Sequence, residues 1–379
     1  MSKLHDLITQ LCPDGVPYRK LDEVAEIKRG RRLTRKQLSD TELPGTFPVF
    51  HGGLQPIGYY SEKNRQANTV MITNVGAAGT VLFSERDFWS SDGCFCLLEL
   101  KALNPRFAYY YLKEHEHKLK QRVRVAGIPT LDADVLKRFE IPLPPLPVQS
   151  EIVRILDAFT ELEAELEAEL TGRIEQYEYY RDYLLDEKNL EHMDGGKVEH
   201  DTVDSLVDVI TATAKIKKNE YKEIGLFPVI DQGMNTVIAG YTDNANALPD
   251  NEWILFGDHT CSLKYFDGRF VQGADGLKIL KAHDNVLPKF VFYALKNLNV
   301  SSNEYARHWT SFKKNELPVP SIATQERIVD ILDRFDTLTT SLTDGIPAEI
   351  AMRREQYEYY RSRLLDFPRL PEDSNNDGE

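Results

Sequence analysis

From Ile152 to Leu184 apolar side chains recur three or four positions apart, through Leu156, Phe159, Leu162, Leu166, Leu170, Ile174, Tyr177 and Tyr180, with glutamates filling the gaps. This period marks an amphipathic helix, and ~40 residues at 1.5 Å each span about 60 Å, more than a small globular core needs. The spacing therefore predicts a coiled-coil seam. Prolines in IPLPPLP (141–147) forbid helix before about residue 147, and DGG at 194–196 ends the region. The pattern then returns: QSEIVRILDAF (149–159) matches QERIVDILDRF (325–335) at an offset of 176, and EQYEYYRDYLLD (175–186) matches EQYEYYRSRLLD (355–366) at an offset of 180. Between these anchors the second copy has gained four residues, and Gly345 with Pro347 predicts a break or kink there.

Fainter matches fill the rest: FPVF at 47 with FPVI at 227, GYYSEKN at 58 with GYTDNAN at 240, and NPRFAYYYLK at 104 with LPKFVFYALK at 287. A repeat of this kind fixes the architecture before any single element does. VMITNVGAAGTVLFSE (70–85) and WILFGDHTCSLKYFDGRFV (253–271) alternate strand-like runs with Gly or Asp-Gly turns, and a helix is predicted from Pro105 to Glu116. No βαβα alternation occurs in either copy. The expected fold class is α+β, with two mixed α/β domains alternating with two long helices that pair as an antiparallel coiled coil in an internal pseudo-two-fold repeat. The expected divisions are a first variable domain at 1–146, a helical region at 147–197, a second variable domain at 198–320, a second helical region at 321–367 and a disordered acidic tail at 368–379.

Composition sharpens this. The 379 residues are too many for one ordinary core, and 41% apolar content supplies two. The net charge of -14 is segmented: +4 over 1–140, -10 over 141–200, -2 over 201–316 and -6 over 317–379. Acid sits on the helical regions, so a polyanion would be met by the variable domains and kept off the helices. No stretch approaches the ~20 apolar residues that cross a bilayer, and the first residues lack the features of a signal peptide, so a cytoplasmic location is expected. Four cysteines without a CxxC pair support neither a disulfide scaffold nor a zinc site, and Cys94 and Cys96 are expected side by side on a strand face.

Catalytic motifs are missing: no phosphate loop, no HExxH and no dinucleotide fingerprint occurs. NPRF (104–107) comes within one residue of the loop with which amino-methyltransferases hold a flipped base, but its repeat partner LPKF (287–290) keeps only Pro and Phe, which reads as a helix start. His115 and His117 are expected on a wet helix. The basic residues have more shape. KRGRRLTRK holds Lys28, Arg29, Arg31, Arg32, Arg35 and Lys36, KLKQRVRVAG holds Arg122 and Arg124, and KIKKNEYK places Lys215, Lys217, Lys218 and Lys222 where the first cluster stands in the other copy. Two basic loops at matching places suggest two contacts with a phosphate backbone. For base edges, His51, Gln55, Arg65 and Asn74 are available in the first copy, and Gln232, Asn235, Asp258 and His259 in the second. The helical residues Ile152, Leu156, Phe159, Tyr177 and Tyr180, with Ile328, Leu332, Phe335, Tyr357 and Tyr360, are expected at a helix or partner interface. EQYEYYR is retained residue by residue, outward positions included, as a docking surface would be.

In whole organisation the chain resembles the specificity subunit of type I restriction-modification systems. The resemblance rests on LCPDGVPYRKLDEVAEIKRG (11–30), the two region starts IPLPPLPVQSEIVRILDAF and LPVPSIATQERIVDILDRF, the ELEAELEAEL run (161–170), both EQYEYYR blocks, and the order variable, helical, variable, helical. It implies a non-catalytic chain whose two target recognition domains each read half of a split, asymmetric site in double-stranded DNA. Two methyltransferase subunits that bind S-adenosylmethionine would dock on the repeated helices, joined by an ATP-driven restriction subunit, and no cofactor is implied in this chain. It also implies that the number of four-residue LEAE units sets the spacing of the half-sites. A non-catalytic coiled-coil scaffold that binds only protein is the alternative; it predicts no DNA binding even with the partner present.

Overall fold

In the computed structural model, residues 3–125, 127–234, 236–244, 246–273, 275–298, 306–341 and 343–371 are described. The chain divides into two units, Met1–Glu165 with Ile350–Glu379, and Leu166–Glu349, a division that does not follow the sequence boundaries. Each unit combines one variable domain with the first half of the helical region that follows it and the second half of the other helical region. The physical reason is that apolar positions of the helices belong to the domain cores.

The first unit runs through α1 (Lys3–Leu11), β1 (Tyr18–Lys20), α2 (Leu21–Val24), β2 (Glu26–Arg29), β3 (Phe47–Phe50), β4 (Tyr59–Tyr60), β5 (Thr69–Thr73), β6 (Val81–Ser84), β7 (Trp89–Ser90) and β8 (Cys94–Leu98). Helices α3 (Pro105–Glu114), α4 (Glu116–Lys120) and α5 (Ala133–Lys137) follow, then β9 (Glu140–Pro142), and α6 (Leu146–Leu184) begins within the proline run, with Pro147 in its first turn. Its sheets have the orders β2-β8-β5-β6, β4-β3-β7 and β1-β9, with every ladder antiparallel except β3 with β7.

The second unit takes the end of α6, then α7 (Glu187–Asp194), β10 (Glu199–Thr202), α8 (Val203–Leu206), β11 (Val207–Ile210), β12 (Phe227–Ile230), β13 (Gly240–Thr242), β14 (Glu252–Gly257), β15 (Leu263–Asp267), β16 (Val271–Gln272) and β17 (Leu277–Ala282). It closes with α9 (Pro288–Asn297), α10 (Trp309–Phe312), β18 (Glu316–Val319) and α11 (Ile322–Thr340). The orders β11-β17-β14-β15, β13-β12-β16 and β10-β18 repeat those of the first unit strand for strand. Helix α12 (Ile346–Leu364) returns the chain to the first unit.

Ile152 and Leu156 of α6 are fully buried with Phe107, Tyr110, Leu365 and Phe367 in the first core, and Ile328 and Leu332 of α11 with Phe290, Tyr293 and Tyr177 in the second. In the first unit α6 and α12 pack antiparallel, since Phe159 meets Tyr357 and Tyr360 while Glu163, further along, pairs with Arg354. In the second, Phe335 of α11 meets Tyr177 and Tyr180 with nearly the same geometry: ring centroids stand 5.4 Å apart at 26° for Tyr180, against 5.7 Å at 26° for Phe159 and Tyr360. The seam is not continuous, for Ile174 is 41% exposed; a straight helix drifts by about 20° per heptad from a 3.5-residue repeat and turns some seam positions outward.

The second helical region is two helices rather than one. The α11 backbone ends at Thr340, and a Cβ on Gly345 would fall 2.5 Å from the Thr337 carbonyl oxygen, so the chain folds back on the helix end at a place only glycine fits. The first region also breaks, at Asp186, whose carboxylate caps α7 by accepting from the Lys188 and Asn189 amides. The segment expected as an acidic tail starts with ordered residues: Pro368 accepts a hydrogen bond from the Val16 amide and Arg369 pairs with Glu140, while residues 372–379 lie outside those described.

Candidate nucleic-acid interface

Registers place Arg29 at the end of β2, Thr73 at the end of β5 and Cys94 at the start of β8, so three loops leave one end of the four-stranded sheet together. Gly30, the glycine inside the basic run, passes so close to the neighbouring chain that a Cβ would collide with the Ser91 carbonyl oxygen. The run beyond it is exposed, and a one-turn 3₁₀ helix at Arg35–Gln37 ends it, with Thr34 and Gln37 capping each other. Arg29 donates from Nε to the Asp92 carbonyl at 2.7 Å, Asp92 stands 3.5 Å from His51 Nδ1, and Arg65 donates to the carbonyls of Asn64 and Arg29. Lys28 pairs with Glu26 at 3.5 Å and Arg35 with Asp40 at 3.4 Å, both in exposed positions. Arg31 and Arg32 are exposed.

Asn74 follows β5 at this end of the sheet, but its side chain is buried beneath the surface. Its Oδ1, like Arg65 Nε, has no hydrogen-bond partner among the described residues. Arg124 is drawn to the same place, because the hairpin it forms with Thr130 is bridged to Val75, and its guanidinium pairs with Asp132 at 2.7 Å. Arg122 is not part of this group: it lines a groove with Tyr18, Lys118, Arg138 and Arg369 to which none of residues 28–35 contributes.

The second unit builds the same end of its sheet from other side chains. A one-turn 3₁₀ helix at Lys218–Glu220 again stands toward the end of the basic run, with the Glu220 carboxylate accepting from the Lys217 amide at 3.0 Å. Lys215 pairs with Asp275 at 2.7 Å, and Ile216 donates its amide to Gln272. Gln232 ties the loops, since its side chain donates to the Asp275 carbonyl and accepts from the His259 amide at 3.3 Å, while its own carbonyl accepts from Thr260 and Ser262. His259 Nδ1 lies 3.1 Å from the Ala306 carbonyl. Asp258 holds the Trp309 amide and lies 3.6 Å from Lys278 Nζ. Beneath them the Lys264 amine is buried, which lowers its pKa, and donates to the Asp231 carbonyl at 2.8 Å. Asn235 lies outside the described residues.

Asp92, Asp275, Lys264 and Lys278 were not singled out from the sequence. Acids and lone lysines inside strand-like runs give no pattern, and only the pairing of strand ends brings them into these loops. Other candidates fall away on geometry. Asn104 accepts from the Arg106 and Phe107 amides as the N-cap of α3, so NPRF starts a helix. His115 packs against Tyr111 with ring centroids 4.3 Å apart, and among the described residues no group of His, Cys, Asp and Glu could hold a metal ion. Cys94 and Cys96 are buried on one strand, and desolvation raises both thiol pKa values. No helix among the described residues is long and apolar enough to cross a membrane.

The helical block EQYEYYR divides its tyrosines between two faces. Tyr177 is buried and Tyr357 half-buried, each turned to the domain core, whereas Tyr180 and Tyr360 stack on phenylalanines at the margin. Tyr179 and Tyr359, which sequence reasoning passed over, are 64% and 53% exposed. Tyr183 lies parallel to Tyr179 with centroids 6.1 Å apart, and Arg363 covers Tyr359 at 5.0 Å.

A family model for the type I restriction modification DNA specificity domain matches residues 13–176 and again 197–352. The chain is 35% identical over 274 residues to the Escherichia coli type I restriction enzyme EcoR124I/EcoR124II specificity subunit, an alignment covering 63% of this chain and 65% of that one, just under two thirds of its length. A Haemophilus influenzae protein provisionally named a type I restriction enzyme specificity subunit, S.HindORF215P, is 29% identical over 387 residues, covering 93% and 96%. The type I restriction-modification S subunit from M. genitalium shares the fold at a TM-score of 0.66, with 19% identity, over 93% of this chain and 96% of that one. With both of its units matched by one model, the chain belongs to the specificity-subunit family of type I restriction-modification systems, the subunits that recognise DNA rather than those that catalyse.

Proposed function

We propose that each unit reads one half of a bipartite, asymmetric DNA site through the loops at the common end of its four-stranded sheet. The observation that carries this reading is duplication with divergence: the same strand ends, with the same capped 3₁₀ turn closing a basic run, present His51, Arg29 and Asp92 in one unit and Gln232, His259, Lys215 and Asp275 in the other. Phosphate contacts would come from the exposed Arg31, Arg32 and Arg35 and from Lys217 and Lys218, and sequence readout from polar side chains of the loops. Arg65 and Asn74 would act from beneath, by fixing the loops. Two methyltransferase subunits carrying S-adenosylmethionine dock on the two EQYEYYR faces, with Tyr179 and Tyr359 at the contact, and an ATP-driven restriction subunit completes the complex in the cytoplasm. Two near-identical helical faces on one chain suit two copies of one partner.

The test is methylation mapping of DNA exposed to the assembled complex. A split motif with two unrelated halves is expected; a continuous motif, or no DNA binding by the complex, would overturn the reading.

A further inference from the structure

In both units the helix that follows the variable domain is wired to the reading sheet through one repeated set of side chains. Gln149 in α6 is fully buried; its Oε1 accepts from the Asn104 amide at 2.8 Å, and its Nε2 donates to the carbonyls of Ala102 and Pro144. Two turns on, Asp157 accepts from Arg106 Nε at 2.8 Å and from the Tyr110 hydroxyl. Arg106 lies over the Phe83 ring at 4.9 Å and pairs with Glu85, so the linkage reaches β6 at the edge of the sheet and the turn beyond it.

The second unit repeats the glutamine, aspartate, tyrosine and cation-ring links with partly different chemistry. Gln325, also fully buried, accepts from the Leu287 amide at 2.8 Å and donates to the Pro320 carbonyl. Asp333 accepts from Lys289 at 2.5 Å and from the Tyr293 hydroxyl at 2.6 Å, and Lys289 lies 5.4 Å from the Tyr265 ring on β15. An arginine over phenylalanine has become a lysine over tyrosine, while glutamine, aspartate and tyrosine stay. Core packing needs only apolar volume and tolerates substitution. A buried amide, and a half-buried carboxylate that accepts from two donors at once, instead require their partners in fixed directions, so they define an orientation.

We propose that Gln149, Asp157 and Tyr110, and likewise Gln325, Asp333 and Tyr293, are positioning residues that set the heading of each reading surface on its helix, and through it the tolerance of the complex for half-site spacing. They touch no DNA. The proposal rests on the bipartite reading above. Loosening a clamp leaves the loops and their base preference intact but widens the angles at which a half-site can be met.

The test uses the full complex and two double variants, Asp157→Asn with Tyr110→Phe and Asp333→Asn with Tyr293→Phe. Methylation rates are measured on sites with the native spacer and with one base pair more or less. Expected are unchanged half-site bases and a discrimination between spacers reduced by about tenfold, equivalent to ~1.4 kcal/mol. Arg106→Lys should retain full discrimination, because Lys289 does the same work in the other unit. Thermal unfolding of each variant, read alongside, separates a structural role: lowered stability with unchanged spacer discrimination would overturn the proposal. Should the carboxamides prevent assembly, Tyr110→Phe and Tyr293→Phe alone carry the same readout, each deleting one hydroxyl. A wild-type complex that methylates all spacers equally would instead refute the bipartite reading.

Discussion

Strand β8 of the first unit starts beside Asp92, whose carbonyl holds Arg29 and whose carboxylate faces His51; strand β17 of the second starts beside Asp275, whose carboxylate holds Lys215 and whose carbonyl holds Gln232. Strand orders, ladder directions, 3₁₀ turns and helix clamps agree between the units, yet the side chains at these strand ends do not. Positions that carry the backbone and the clamp are constrained by burial, whereas side chains beyond the strand ends meet water and are free to change. One scaffold can therefore present two unrelated surfaces. The first is the more strongly cationic, with Arg29, Arg31, Arg32 and Arg35 against Lys215, Lys217 and Lys218.

The largest expected effect leaves both surfaces intact and changes only the helix that serves both units. Removing Leu166–Glu169, one of two tandem LEAE units, shortens α6 by ~6 Å and turns the remainder of the helix by a net ~40° at roughly 100° per residue. One base pair turns DNA by ~35°, at 10 to 10.5 per turn. Methylation mapping should then return both original halves with a spacer one base pair shorter, and the original site should no longer be modified. An unchanged spacer would show that the LEAE run does not set the distance.

Next in size is the contrast between inward and outward tyrosines. Tyr177→Ala, at a buried ring, should lower the stability of the second unit by about 3 kcal/mol, and Tyr357→Ala should destabilise the first by somewhat less. Tyr179→Ala with Tyr359→Ala should change stability by no more than ~0.5 kcal/mol, as at exposed sites generally, yet lose the methyltransferase subunits on copurification. Full recovery of those subunits with the outward pair removed would make these tyrosines ordinary surface residues.

The two basic loops should differ in salt dependence. Replacing Arg29, Arg31 and Arg32 by Ala should flatten the slope of log affinity against log salt by about 0.9 for each phosphate no longer neutralised. The same change at Lys215, Lys217 and Lys218 should flatten it less, since Lys215 is already paired with Asp275. Equal slopes for the two triple variants would make the two loops equivalent in their hold on the DNA backbone.

The smallest expected effect is acid loosening of α1 in the first unit. Glu151 holds Lys3 at 2.8 Å and Arg154 at 2.7 Å, and these hydrogen bonds lower its pKa from 4.5 to about 2. Because the folded value is depressed, the stabilisation is present above pH 4.5 and is lost as pH falls toward 2. In the second unit the same helix position is Arg327, which donates to the Met193 carbonyl and carries no carboxylate. Hydrogen exchange followed from pH 5 downward should show α1 loosening, and Glu151→Gln should remove the dependence.

Much of this architecture is written in the sequence, because a repeat reports itself. The offsets of 176 and 180 located both helical regions, the 3.6-residue period made them helices, and Gly345 marked the break. The basic runs were legible as charge, and their matching places follow from the order of the repeat, each run coming before its FPV segment. What tertiary structure alone decided is which residues stand together. Helical period does not say that Ile152 and Leu156 complete one domain core while Tyr177 completes the other, since a seam and a core ask for the same apolar residues. It does not tell Tyr177 from Tyr179, two positions apart on one helix and turned to opposite environments. Nor does composition distinguish Asn74, buried beneath its loop, from the exposed Arg31, because burial depends on strands paired across long stretches of chain. The clamp made by Asp157, Arg106 and Tyr110 joins groups about fifty residues apart, and such long-range pairing is set by the folded core and leaves no local period to read.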